Sequence, residues 1–269
     1  MARQWDAAEY EIVSGPMTIW GANFLELLVE RRALRGNQGV IDAGCGTGRV
    51  TELLLRYVPD GAVLAIDGSK AMVEATARRF AEDPRVRVER QDLLRLEVEK
   101  PVDLIFSTAT FHWIKDHKRL FERLALVLKR QGRLVAHCGG EGNLPKLRPA
   151  IRRVMSKDRF REFFFVRWED PWNFADPGTT QTRLKAAGFE QIETWLQEEA
   201  AEFDSMEELV RYLRTAVLGQ HLSFLPKAEH EPFAAAVATE LTSLGPPVID
   251  YVRLNILAVR SGAKASEGG

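Results

Sequence analysis

At 269 residues, 45% of them hydrophobic, the chain can bury a large core, either as one elaborated domain or as a core carrying a smaller lobe. A net charge of -1 and a pI of about 6.6 argue against the basic field that gathers nucleic acid or an anionic membrane. Only two cysteines, Cys45 and Cys138, and no paired histidine spacing argue against a disulfide framework or a metal site, and no apolar run nears the roughly 18 residues that span a bilayer; a cytoplasmic location without metal is expected.

In chain order, apolar residues at helical spacing predict a helix over Met17–Leu34 (Ile19, Trp20, Phe24, Leu27, Leu28). The run Val40-Ile41-Asp42-Ala43 then predicts a strand that opens into Gly44-Cys45-Gly46-Thr47-Gly48 and a helix over Arg49–Tyr57. Pro59-Asp60-Gly61 supplies a turn before a second strand, Ala62–Ile66, ending at Asp67. Ser69 is a plausible cap for a helix that continues to about Asp83, where Pro84 stops it. Strands follow at Arg85–Arg90 and Val102–Phe106, then a helix over Asp116–Lys129 and a fifth strand over Arg133–His137. Gly139-Gly140-Glu141-Gly142-Asn143 reads as a flexible break, followed by a basic and aromatic segment to Phe174 without a strand. A helix over Thr179–Ala187 closed by Gly188, a sixth strand over Glu190–Gln197, helices over Met206–Leu218 and Lys227–Leu244, and a last strand over Tyr251–Val259 complete the prediction. Ser261–Gly269 is expected to be a disordered tail. Alternating strands and helices predict an α/β fold with a parallel sheet, helices on both faces and binding at the carboxyl ends of the strands.

Three alternating glycines after a strand let the backbone turn sharply and lie against a ligand. Asp67 stands roughly 20 residues beyond them, where open parallel sheets place the acid that holds a ribose diol. A dinucleotide-binding loop spaces its third glycine one residue later and cradles a pyrophosphate. Asp42 beside the loop would repel pyrophosphate, whereas it suits a cationic amino group and sulfonium.

Val40–Thr51, Asp67 with Gly68-Ser69-Lys70-Ala71-Met72, Gln91-Asp92 and Val102–Trp113 resemble the successive motifs of class I S-adenosylmethionine-dependent methyltransferases. The resemblance covers roughly Leu34–Cys138. It implies a Rossmann-like seven-stranded sheet, mostly parallel with an antiparallel last strand, plus helical cap inserts. Residues 1–34 would form an N-terminal helical lid, 35–140 the S-adenosylmethionine-binding core, 141–175 and 200–248 two helical inserts, 176–199 and 249–260 the rest of the core, and 261–269 the tail. Trp5–Tyr10, Phe111-His112-Trp113-Ile114 and the insert before the last strand are also similar to the trans-aconitate and juvenile-hormone-acid type of small-molecule carboxyl methyltransferase.

The resemblance implies cofactor contacts from Asp42, Gly44, Cys45, Gly46, Gly48, Asp67, Gly68, Met72, Gln91, Asp92, Leu93, Ser107 and Thr108, with Asp92 and Leu93 at the adenine amino group. Each has a plainer reading: Asp67 as a helix cap, Asp92 as a turn residue, Met72 as core, Ser107 and Thr108 as turn formers, Cys45 as a small filler rather than a nucleophile. His112 could bind an acceptor or take its proton, and Trp113 could position the substrate, or the two simply pack under the loop. Trp5, Tyr10 and Trp20 are expected at an N-terminal lid, and Tyr212, Arg214 and His221 at an acceptor pocket. Arg148, Arg152, Arg153, Arg159, Arg161 and Arg167 could neutralise an anionic substrate or form a solvated face. The expected activity is O-methylation of a small carboxylate, which is ionised at neutral pH and needs no base. A phenol or carbon acceptor using His112 as base, a carrier-protein-bound acyl group or other macromolecule, and an S-adenosylmethionine sensor without catalysis remain open. A monomer or homodimer is expected.

Overall fold

In the computed structural model, which describes residues 5–31, 34–165, 168–243 and 245–262, a short helix that the periodicity did not predict comes first. This helix, α1 (Ala7–Val13), starts where the Asp6 carboxylate accepts the Ala8 and Glu9 N–H groups. Ser14 breaks it, and Pro16 in the first turn starts α2 (Gly15–Glu30). The nucleotide-like unit follows as β1 (Gly39–Ala43), α3 (Arg49–Leu55), β2 (Ala62–Asp67), α4 (Lys70–Arg79) and β3 (Val86–Arg90). Helix α4 ends at Phe80, before the proline expected to stop it, and the Ser69 side chain makes no cap bond; the Asp67 carboxylate takes the Ser69 N–H instead.

Strand β4 (Val102–Thr108) leads through a 3-10 turn at Phe111–Trp113 into α5 (His117–Val127), capped by Asp116. Strand β5 (Leu128–Gly139) begins where the helix was expected to continue. A register irregularity against β4 and a left-handed Gln131 absorb the extra residues. After it come α6 (Leu147–Met155), α7 (Arg161–Phe164), α8 (Pro177–Ala186) and β6 (Phe189–Glu202). The chain closes with α9 (Met206–Tyr212), a wide π turn at Leu213–Val217, α10 (Gly219–Leu222), α11 (His230–Thr242) and β7 (Val248–Arg260). The predicted tail falls almost wholly outside the described residues.

The seven strands form one sheet in the order β3-β2-β1-β4-β5-β7-β6. It is parallel from β3 to β5, and β7 runs antiparallel to both β5 and β6. Strand alternation sorts the core: Val40, Leu104, Phe106 and Val135 pack under α2 and α3, while Ile41, Ile105, Leu134, Leu254 and Ile256 pack with residues of α5 and α8. A third cluster joins α6, α9 and α11 through Ile151, Leu209 and Phe233. No single described helix is long and apolar enough to cross a membrane.

The segment expected to be a flexible break is tied down. Gly140 donates to Val252, Glu141 donates to Ala175, and the buried Asn143 accepts the Val252 N–H at 2.8 Å. Asn143→Leu strands that N–H, at a cost of about 1–3 kcal/mol, and thermal melting is expected to fall by several degrees.

Candidate active site

Turning from β1 into α3, the chain takes positive φ at Gly44, Gly46 and Gly48 (+89°, +56° and +84°). At Gly44 a side chain is excluded twice over, because a Cβ would also lie 2.0 Å from Thr110 Oγ1. The Gly44 and Cys45 N–H groups both donate to the Ile66 carbonyl, clasping the loop to β2. Glycine loop and strand end thus form the floor of a cleft lined by Asp42, Thr47, Arg49, Thr108 and Ala109 and roofed by Tyr10, Ser14 and Met17.

Two carboxylates set the electrostatics. Asp42 is 1% exposed and accepts the Thr51 hydroxyl at 2.6 Å. Burial pushes its carboxyl up to about 7, with Asp67's negative charge adding and the Thr51 bond opposing. Asp67 is held by Ser69 N–H at 2.8 Å on one oxygen and Gly46 N–H at 3.1 Å on the other. Its carboxyl is also raised by burial, against the backbone N–H groups that favour the anion. Two of a carboxylate's roughly four acceptor positions are thereby used, leaving capacity for a diol.

The remaining predicted cofactor residues divide. Met72 is buried on α4 and Leu93 is buried beside Asp92, whose oxygen accepts the Leu94 N–H at 2.9 Å. Gln91 spends its amide on Glu89 and on both backbone groups of Glu97, and the Gly68 carbonyl takes Arg90. The Ser107 hydroxyl is bonded to the Ala43 carbonyl at 2.6 Å, which clamps β4 to β1. Cys45 lines the cleft beside Thr76, its thiol raised well above its usual range by burial and by the two acids.

His112 is buried in the turn after β4, and its Nδ1 accepts the Gly139 N–H at 3.2 Å. A neutral imidazole accepting there carries its proton on Nε2, so that nitrogen donates. Trp113 and Trp5 meet edge-on at 5.8 Å, and Trp5 meets Tyr10 at 5.3 Å, which joins the first helix to the end of β4. Trp20 lies deeper, packed on Tyr251. The Tyr212 hydroxyl is 2.6 Å from that of Tyr251 and donates to Met17 Sδ. Two expected acceptor residues are placed elsewhere. Arg214 pairs with Glu231 and Glu9, and His221 packs tilted against Trp168 and Trp172 inside the cap core. Among the arginines, Arg148, Arg153, Arg159 and Arg161 pair with Asp170, Glu240, Glu229 and Asp158, and Arg167 lies outside the described residues.

Other residues at the site carried no sequence signal. Glu11 of α1 pairs with Arg79 and accepts the Thr47 hydroxyl, while Arg49 reaches the Glu11 carbonyl and Ser14. Thr51 would have been legible as the α3 residue that faces back to Asp42. Arg253 and Tyr251, on the last strand and outside the cleft lining, belong to no motif.

Comparison with known proteins fits this geometry. The family described as "Methyltransferase domain" matches residues 40–132. The trans-aconitate 2-methyltransferase of Methylobacterium nodulans is 31% identical over 192 residues, covering 71% of this chain and 67% of that one. Malonyl-[acyl-carrier protein] O-methyltransferase 1 of Ilyobacter polytropus is 30% identical over 143 residues, 53% of each chain. The fold is similar to that of Haemonchus contortus phosphoethanolamine N-methyltransferase 2 in complex with phosphomonomethylethanolamine and S-adenosylhomocysteine, with a TM-score of 0.60 at 20% identity over 95% of this chain and 57% of that one.

Two measurements test the cleft. Gly44→Ala, whose backbone strain alone is about 1–3 kcal/mol, is expected to abolish retention of the cleft's ligand while leaving circular dichroism native. A cation beside Asp42 favours its ionised form, so binding expels the proton that Asp42 holds below pH about 7. Calorimetric affinity for a cationic ligand is therefore expected to rise from about pH 6, level off above about pH 8 and lose that slope in Asp42→Asn.

Proposed function

Since the chain belongs to the class I S-adenosylmethionine-dependent methyltransferases, we propose that it transfers a methyl group to a carboxylate oxygen of a small organic acid. The cofactor is S-adenosylmethionine, which supplies an electrophilic methyl on a sulfonium. The glycine loop, which a Cβ at Gly44 would close, and two acids pushed toward protonation by burial fit a ligand that brings positive charge. Asp67 would accept the ribose hydroxyls on its unused positions, and Met72 would lie against the adenine. Asp42 would face the ammonium and sulfonium, while Arg49 in the same cleft offers a cation to the amino-acid carboxylate.

The state of His112 carries the choice of acceptor. Its unprotonated nitrogen is occupied by the Gly139 N–H, so neutral His112 is arranged to donate a hydrogen bond rather than to remove a proton. An acceptor already ionised at neutral pH needs no base. It needs only alignment with the methyl-sulfur bond and exclusion of water. The Trp5–Trp113 contact and the Glu11–Arg79 pair, closing over the cleft from α1, support the second of these. The acidic substrate in the name of the Methylobacterium relative agrees with this reading.

With radiolabelled S-adenosylmethionine, a panel of small acids that includes trans-aconitate, together with phenols and amines, is expected to yield labelled methyl esters only. His112→Ala is expected to retain turnover within about tenfold, whereas removing a general base typically costs 10²–10⁴. Label transferred only to an acylated carrier protein would replace the small-acid reading.

A further inference from the structure

Arg253 carries a buried charge that the site described so far does not use. It sits on β7 opposite Gly139 of β5 and Gln197 of β6, is 2% exposed, and lies 4.9 Å from the Trp20 ring centre and 5.9 Å from that of Tyr251. Among the described residues its Nε and Nη2 have no hydrogen-bond partner. Among the described residues no carboxylate pairs with it. Glu199, across on β6, exerts only a weaker pull than Cys138, Tyr251 and Tyr212. Leaving a buried guanidinium without a counter-charge is strongly destabilising, so its retention calls for a reason.

The pattern of missing bonds supplies one. Nε–H and Nη2–H are the two parallel donors on one edge of the planar guanidinium, the edge that meets both oxygens of a carboxylate in a forked pair. One rung away, His137 Nδ1 and Asn255 Oδ1 are also buried and unpartnered, and those residues face each other across the β5–β7 pair. Burial and the nearby Arg253 hold His137 neutral, so its ring can donate a hydrogen bond from Nδ1 to an anion. Phe24 stacks on His137, and Trp20 meets Tyr251 edge-on, so this polar patch faces α2. The Tyr251 ring beside Arg253 is bonded through the Tyr212 hydroxyl to Met17, which lines the cleft, so the patch and the cleft share a wall. Thr108 is level with His137 and, across β5, with Asn255, so Arg253 lies two strand spacings over and two residues further along, roughly 12 Å away.

We propose that the Nε/Nη2 edge of Arg253, with His137 beside it, anchors a carboxylate of the acceptor other than the one that is methylated. The acceptor class is then a dicarboxylic or tricarboxylic acid. A carboxylate gripped in a fork has its lone pairs engaged and is a poor nucleophile, whereas a second carboxylate of the same molecule reaches back toward the cleft with its oxygens free. The sulfur-methyl bond breaks as the oxygen-methyl bond forms, the electron pair of the broken bond stays on sulfur, and no proton moves. The anchor rests on the carboxylate-methylation reading, but its binding test does not need turnover.

The protein loaded with S-adenosylhomocysteine is titrated calorimetrically with succinate, glutarate, adipate, tricarballylate and their fully methylated esters. At least one polyacid is expected to bind, its affinity about 30-fold weaker in Arg253→Gln and partly restored in Arg253→Lys, while the full esters, which have no carboxylate left to anchor, bind both forms equally weakly. The affinity for S-adenosylhomocysteine should not move, and melting should hold or rise in both variants, because an unpaired buried charge has been removed or made more compact. No polyacid binding to wild type, equal binding to Arg253→Gln, or a loss of folding in the variants would overturn the anchor. Polyacid binding through Arg253 with no ester formed would sink the methylation reading instead, and ester formation with KM unchanged in Arg253→Gln would sink the anchor alone.

Discussion

The organisation of the site depends on one electrostatic constraint, a carboxylate buried where water cannot solvate it. Asp42 ends up there because β1 is flanked by β2 and β4 and covered by α2 and α3, so its side chain emerges at the base of the cleft with only the Thr51 hydroxyl to stabilise it. Asp67, one strand over, adds a second acid whose backbone partners only partly offset its burial. Like charges brought together in a low-dielectric pocket favour protons or a cationic guest. A sulfonium with an ammonium would answer Asp42 while the ribose hydroxyls of the same molecule answered Asp67, and a pyrophosphate answers neither acid.

The glycines serve that constraint sterically. With Gly44 against Thr110 and Gly48 against Phe80 and Thr76, the loop cannot gain bulk without pushing β4 or α4 away. The Ser107 hydroxyl on the Ala43 carbonyl fixes the same two strands from the side. Backbone conformation, strand spacing and charge are therefore coupled: a change that loosens the loop also lets water reach Asp42 and weakens the preference for a cation.

Much of the cofactor half was legible in the sequence because its parts are local. The loop, Asp42 and Asp67 lie within one strand-helix-strand unit, and glycine spacing plus an acid at a strand end expresses their geometry directly. The sheet's parallel half followed from the same alternation. What escaped was non-local or short. Helix α1 is seven residues with an exposed Ile12, too brief for periodicity to show, and the Glu11–Arg79 bond that holds it spans sixty-eight positions. The 139–143 segment looks flexible from its glycines, yet Asn143 ties it to a strand over a hundred residues later. Arg214 and His221 sit on the expected insert, but helix phase turns one toward Glu231 and the other into the cap core.

Strand direction explains why the acceptor side was the least readable. In the parallel half, the candidate site residues stand at strand ends and are followed by recognisable turns, as at Asp42, Asp67 and Thr108. Strand β7 enters from the opposite side, so the residue it brings level with the end of β5 is Arg253, within an unbroken run of strand pattern. An arginine in such a run looks like ordinary alternation. Only pairing with Gly139, burial under Trp20 and a guanidinium edge left without partners distinguish it. The single reversed strand thus lets the sheet present a cation beside a cleft that its parallel strands have made acidic, and the two charges can sort opposite ends of the reaction: the positively charged donor against Asp42 and Asp67, and the negatively charged acceptor against Arg253.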